Sequence, residues 1–140
     1  MTKNVIILED CNAINYLIST VLEKDYNITS VKNCAAAMSQ LQSEVNRDLI
    51  ILNIPDAESD NFELLKHIST SCVLNNIQRV VISDSDDVQL KRKTAELGAT
   101  LFITKPFDPV YLSEKVRELI SLNENSMGKK KRFSINMNIF

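Results

Sequence analysis

Asp48-Leu49-Ile50-Ile51-Leu52-Asn53 is the stretch on which the fold turns. Four bulky aliphatic residues follow one another without alternation, and a polar residue closes the run at each end. A run this short is too brief for a helix. An unbroken Val/Ile/Leu run of this length marks a strand buried on both faces, as in a parallel sheet covered by helices. Val5-Ile6-Ile7-Leu8, closed by Glu9-Asp10, repeats the pattern, and Val80-Val81-Ile82 and Leu101-Phe102-Ile103 are shorter versions of it. Tyr26–Val31 alternates instead, which suits a strand at a sheet edge.

Helical periodicity fills the intervals. Ile14, Leu17, Ile18, Val21 and Leu22 fall on the i, i+3, i+4, i+7, i+8 positions of one buried helix face. Further stripes are Cys34, Met38, Leu41, Val45, then Phe62, Leu65, Ile68, Cys72, then Leu90, Thr94, Leu97, and last Leu112, Val116, Leu119, Ile120. Strand and helix therefore alternate along the chain, which predicts a parallel sheet with helices on both faces. Right-handed crossovers favour the strand order 2-1-3-4-5, with the site at the carboxyl ends of the strands near the switch between strands 1 and 3. Gly98 is placed to end the fourth helix. Asp108-Pro109 is placed to open the fifth, as N-cap and first turn.

Composition narrows the function. With 44% hydrophobic and 24% charged residues, the chain of 140 residues reads as one soluble domain. No apolar run is long enough to span a bilayer and the amino terminus is unlike a signal peptide, so a cytoplasmic protein without membrane contact is expected. Cys11, Cys34 and Cys72 stand at no metal-ligand spacing and are expected as small buried hydrophobes. His67 is the only histidine and is expected at the surface. Residues 1–124 hold 12 basic against 18 acidic residues, a net charge of −6 that argues against nucleic-acid binding by this part. The remaining basic residues form one run, Lys129-Lys130-Lys131-Arg132. The chain thus divides into a domain, 1–124, and a basic tail, 125–140, with Gly128 opening the break. In the tail, Phe133, Ile135, Met137 and Ile139 alternate with polar residues, a pattern of a half-buried added strand or else of a disordered end.

The residues just past the buried strands are Glu9 and Asp10, Asn53, Ser83 and Asp84, and Thr104-Lys105-Pro106. With Phe62-Glu63-Leu64-Leu65, Leu97-Gly98-Ala99 and Phe102–Phe107, these segments resemble, in order and spacing, the receiver domain of bacterial two-component response regulators over about residues 3–122. The resemblance implies a flavodoxin-like (βα)5 doubly wound fold and a place in phosphorelay signal transduction. It further implies that Glu9 and Asp10 match a Mg²⁺-binding acidic pair, Ser83 a switch hydroxyl, Phe102 a rotating aromatic and Lys105 a phosphate-facing lysine. Lys105-Pro106 matches a peptide that is usually cis in the family. Asn53 falls on the phosphate-accepting aspartate.

A carboxamide is a poor nucleophile and cannot give an aspartyl phosphate. Pro55 stands two residues after the acceptor position rather than four. Asn61 replaces a common glycine, where asparagine suits a left-handed turn, and Asp84 follows the switch hydroxyl where a small residue is usual. The sequence therefore predicts an atypical, non-enzymatic receiver that needs no cofactor, binds Mg²⁺ weakly at most, and acts through protein contacts. These would involve a partner or a second copy on the face of helix 4, strand 5 and helix 5, about residues 87–121. Lys105 is expected to pair with Asp10, and Phe102 to be fixed. The alternatives are a conventional phospho-switch in which Asn53 replaces the native aspartate, a receiver in which Asp56, Glu58 or Asp60 takes over as acceptor, and a cation sensor or weak enzyme using Glu9, Asp10 and Asp84.

Overall fold

The computed structural model describes residues 2–129, with side chains through 123. Five strands alternate with five helices: β1 (Lys3–Leu8), α1 (Asn12–Leu22), β2 (Tyr26–Val31), α2 (Cys34–Leu41), β3 (Leu49–Asn53), α3 (Asp60–Thr70), β4 (Gln78–Ser83), α4 (Val88–Glu96), β5 (Leu101–Thr104) and α5 (Pro109–Lys129). All strand pairs are parallel and the order is β2-β1-β3-β4-β5, as the alternation predicts. β2 lies at one edge.

The strand pleat explains why the apolar runs are unbroken. Successive side chains point to opposite faces, and each face has its own core. Val5, Ile7, Leu49, Ile51, Val80 and Ile82 pack with Ile18 and Leu22 of α1 and with Leu112 and Val116 of α5. Ile6, Leu8, Ile50, Leu52 and Val81 pack on the other side with Leu41 of α2, Leu65 and Ile68 of α3 and Leu90 of α4. Ile51 pairs in register with Ile7 on one side and Val80 on the other, so the three stand side by side in one layer.

Helix ends follow their capping chemistry. Asn33, Ser59, Asp87 and Asp108 each accept a backbone N–H of the helix they open. Gly98, at φ 87°, ends α4 in the left-handed conformation. The Arg79 guanidinium lies 2.9 Å from where a Cβ on Gly98 would stand, but as the end of a flexible side chain it can shift, so it is the positive φ that calls for glycine there. Burial lowers the pKa of that guanidinium.

The helices differ from the periodic stripes in three places. α2 stops at Leu41, leaving Val45 outside it and 49% exposed. Instead of a further helical turn, Arg47 bonds Thr29 and Gln40, and Asp48 bonds the backbone of Asn4. α3 stops at Thr70 because Ser71 turns to extended backbone and its hydroxyl accepts from Val73 and Leu74, so Cys72 is exposed in a turn. α5 runs through Gly128 to Lys129 instead of breaking; glycine within a helix costs only about 1 kcal/mol. The cysteines are not small buried hydrophobes: Cys11 is exposed where the chain enters α1, and Cys34 is half-buried. Burial, then the nearby Asp60, pushes the Cys34 thiol up. His67 is exposed. Residues 130–140, and with them the pattern at Phe133–Ile139, lie outside the described residues. Among the described residues no helix is long and apolar enough to cross a membrane.

Since Ile51 is fully buried between both neighbouring strands, Ile51→Ala is expected to cost about 2–5 kcal/mol of unfolding free energy. Val73→Ala, at an exposed turn, is expected to change it by less than about 0.5 kcal/mol. Urea denaturation of the two variants checks the contrast.

Candidate functional site

Parallel strands end together, so β1, β3, β4 and β5 deliver their last residues to one rim. Glu9 follows β1, Asn53 ends β3, Ser83 ends β4, and Lys105 follows β5. The ladder runs to the rim itself: Asn53 pairs with Ile82, and Ser83 with Thr104. The Ile54 N–H donates to Ile82 and the Lys105 N–H to Ser83, each just beyond the strand end. The Lys105–Pro106 peptide is cis.

The contact at the centre of the rim is an ion pair. The ammonium of Lys105 lies 2.9 Å from Glu9 Oε1, with the two side chains 12% and 1% exposed. Its geometry is electrostatic rather than that of a directed hydrogen bond. The other carboxylate oxygen, Oε2, accepts the Cys11 N–H at 3.0 Å. Lys105 thus pairs with Glu9 and not with Asp10, as the sequence had suggested. The reason is direction along the strand. Glu9 turns inward into the buried layer, whereas Asp10, one residue on, points out and is exposed.

Two asparagines complete the rim, and neither had been assigned this part from the sequence. Asn15, buried in α1, donates through Nδ2 to the Glu9 carbonyl at 2.9 Å and so holds the end of β1. A polar residue beside the apolar stripe of α1 was the available signal. Asn61 donates through Nδ2 to the Asn53 carbonyl at 2.7 Å. It lies in the first turn of α3, in helical rather than left-handed backbone, so its side chain and not its backbone freedom is what the rim uses. Asn53 itself is half-buried, and its Oδ1 is shut from water with no hydrogen-bond partner.

Ser83 is buried, and its hydroxyl accepts the Ser85 N–H at 3.0 Å. Asp84 is exposed. Phe102 is half-buried against the α2–α3–α4 core, with the Lys91 ammonium 5.8 Å from its ring centre. Lys91 is also 2.8 Å from Asp86, and that hydrogen bond and charge hold the Asp86 carboxyl below its ordinary range. Among the described residues no three His, Cys, Asp or Glu side chains come together as a metal cluster. Asp56 and Glu58 are exposed in the loop before α3, and Asp60 is exposed in its first turn.

With this geometry in hand, comparison with known proteins is informative. Residues 5–117 match the response regulator receiver domain. The chain belongs to that family. It is 25% identical over 126 residues to the sporulation initiation phosphotransferase F of Bacillus subtilis, covering 89% of this chain and 99% of that one. It is 29% identical over 118 residues to the transcriptional regulatory protein KdpE of Staphylococcus aureus, covering 84% of this chain but only 49% of that protein, so it spans about half the length of that relative. Among solved structures, a response regulator from Thermotoga maritima superposes with a TM-score of 0.76 at 25% identity, over 86% of this chain and 99% of that one. A CheY-like receiver domain from Methanospirillum hungatei superposes at 0.81 and 20% identity, over 90% and 99%, and this likeness is one of fold.

The ion pair makes a testable demand on stability. Removing one partner of a buried pair leaves the other charge uncompensated, at about 3–5 kcal/mol. Lys105→Met and Glu9→Gln are each expected to lose that much in urea denaturation. The double variant is expected to lose clearly less than the two losses added together.

Proposed function

We propose that this receiver domain signals through protein contacts and accepts no phosphoryl group at residue 53. The observation that carries the reading is Asn53 at the end of β3, on the rim shared with Glu9, Ser83 and Lys105. An acyl phosphate needs a carboxylate oxygen as nucleophile. The amide nitrogen of Asn53 is a poor one because its lone pair is delocalised, and Oδ1 carries no full charge. The remaining rim supports the same reading. Lys105, which would face a phosphate, is already neutralised by Glu9.

The rim also fits Mg²⁺ poorly. Mg²⁺ sites take one or two carboxylates and keep several waters. Of the acidic pair, Glu9 has both oxygens engaged and only Asp10 is exposed. The Asn53 Oδ1 adds a neutral donor in place of a second anion. We therefore assign no step to a metal here, and propose that no cofactor is needed. The exposed Asp84 does not join Glu9 and Asp10 in a cluster, which leaves a cation sensor or enzyme without a built site.

In this reading the output lies on the α4–β5–α5 surface, about residues 87–121, where a partner protein or a second copy docks and nucleic acid does not. On that surface Lys91 lies beside Asp86 and over the ring of Phe102. The working unit is residues 1–124, with 125–140 as an appendage, and the setting is cytoplasmic. One observation favours a second reading: Glu9, Ser83, Lys105 and the cis Lys105–Pro106 peptide stand on one rim as a conventional phospho-switch would need, with residue 53 the change that removes the acceptor.

Incubation with acetyl phosphate and Mg²⁺, followed by intact mass, separates the two. The parent is expected to gain no phosphoryl mass. Asn53→Asp is expected to bind Mg²⁺ about tenfold more tightly, equivalent to about 1.4 kcal/mol, and to phosphorylate slowly and in part. A hydroxylamine-labile phosphoryl group on the parent would show that another carboxylate, such as Asp56, Glu58 or Asp60, is the acceptor, and would end this proposal.

A further inference from the structure

α1 and α5 lie side by side on one face of the sheet, and both start at the rim. A groove of about 500 Å³ runs between them on the outer surface. Val21 stands half-buried in its lining, and Val110 of the same lining is 61% exposed. Tyr16, 74% exposed, lies one helical turn before Thr20 of that lining, on the same side of α1. Four charged side chains surround these residues: Glu23 and Lys24 just past the end of α1, and Glu114 and Arg117 on α5. All four are exposed, and among the described residues none of them makes an ion pair.

The charges around this groove differ from those nearby. Lys115 pairs with Glu118, and Lys91 with Asp86, on the side of α5 that faces α4. Asp25 follows Lys24 in an exposed turn outside the groove lining. The groove itself presents two unpaired acids and two unpaired bases around an apolar strip. Its formal charge is balanced, on a body, residues 1–124, whose net charge is −6.

We propose that a second copy of this chain docks on this groove about a two-fold axis, α1 of one copy on α5 of the other. The balance of charge selects that occupant. A uniformly acidic partner would leave Glu23 and Glu114 unmet, and a uniformly basic one would leave Lys24 and Arg117 unmet. A second copy brings the same balanced set, and two-fold symmetry makes every contact occur twice. With α1 on α5, Lys24 faces Glu114 of the second copy and Glu23 faces its Arg117. Elsewhere the acidic body repels its own copy, whereas this patch does not. Val110 and Tyr16 supply apolar surface between the charges, and aromatic residues are favoured at such contacts. Exposed ion pairs add little affinity each but reject alignments that bring like charges together. The dimer therefore depends on protein concentration and weakens with salt.

This inference goes beyond the function proposed above. It gives the second copy the α1 side of α5 and leaves the α4 side for a different partner. It does not depend on the chemistry of residue 53.

The test is sedimentation equilibrium of the full-length protein at concentrations up to about 1 mM, at low and high salt. The parent is expected to form a dimer that high salt weakens. Lys24→Glu and Glu114→Arg each set like charges opposite one another, and each is expected to weaken the dimer at least about tenfold. The double variant Lys24→Glu/Glu114→Arg restores opposite charges across the contact, and is expected to return to within about threefold of the parent. Val110→Asp is expected to weaken the dimer, and Lys91→Ala, on the α4 side, to leave it unchanged. Positions 24, 110 and 114 are exposed, so melting of these variants is expected to match the parent. A monomeric parent overturns the proposal, as do single reversals that associate as tightly as the parent, or a double variant no tighter than the singles. Association lost in Lys91→Ala but kept in Lys24→Glu also overturns it, by moving the second copy to the α4–β5–α5 surface, and leaves the function proposed above standing.

Discussion

Leu49 to Leu52 of β3 are shut from water, two side chains on each face of the sheet, and the same holds for Val5 to Leu8 of β1. Strands covered on both faces have no room for an unpaired polar side chain. The chain is therefore pressed to place its chemistry where the strands end and the helical cover stops. All the strands run parallel, so these ends coincide. Burial of the central strands thus determines both the fold and the position of the rim.

At that rim the same constraint acts on charge. Glu9 follows the buried strand directly and stays within the low-dielectric layer, so it needs a counter-charge. Lys105 supplies it across the sheet, from the strand-5 side to the strand-1 side. The pair ties the end of β1 to the cis turn after β5, with Asn15 holding the Glu9 carbonyl from below.

The sheet edges show the same economy of polar groups in another form. β2 ends one side with a strand that mixes apolar residues with Asn27, Thr29 and Ser30, while β5 ends the other with Leu101-Phe102-Ile103-Thr104. Beside β5 a groove is lined by Lys91 of α4, Leu101 and Phe102 of β5 and Lys115, Leu119 and Leu122 of α5. Lys91 meets Asp86 in the loop after β4 and lies over the aromatic ring of Phe102.

Much of this could be read from residues alone. Unbroken runs at Val5–Leu8 and Leu49–Leu52 specify doubly covered strands, alternation with helical stripes specifies a parallel sheet, and Asp108-Pro109 and Gly98 mark helix ends, because each depends on local pattern and backbone preference. Asn53 was legible for the same reason: its place at a strand end follows from the run before it. What the linear chain does not carry is which of two adjacent side chains turns inward. Glu9 and Asp10 are alike in type, and only the packing of β1 between its neighbours sends Glu9 to Lys105 and Asp10 to water. The reach of Asn61 to the Asn53 carbonyl, the exposure of Val45 where α2 stops early, and the place of β5 at a sheet edge are likewise products of tertiary geometry, since each depends on groups apart in sequence that the fold brings near.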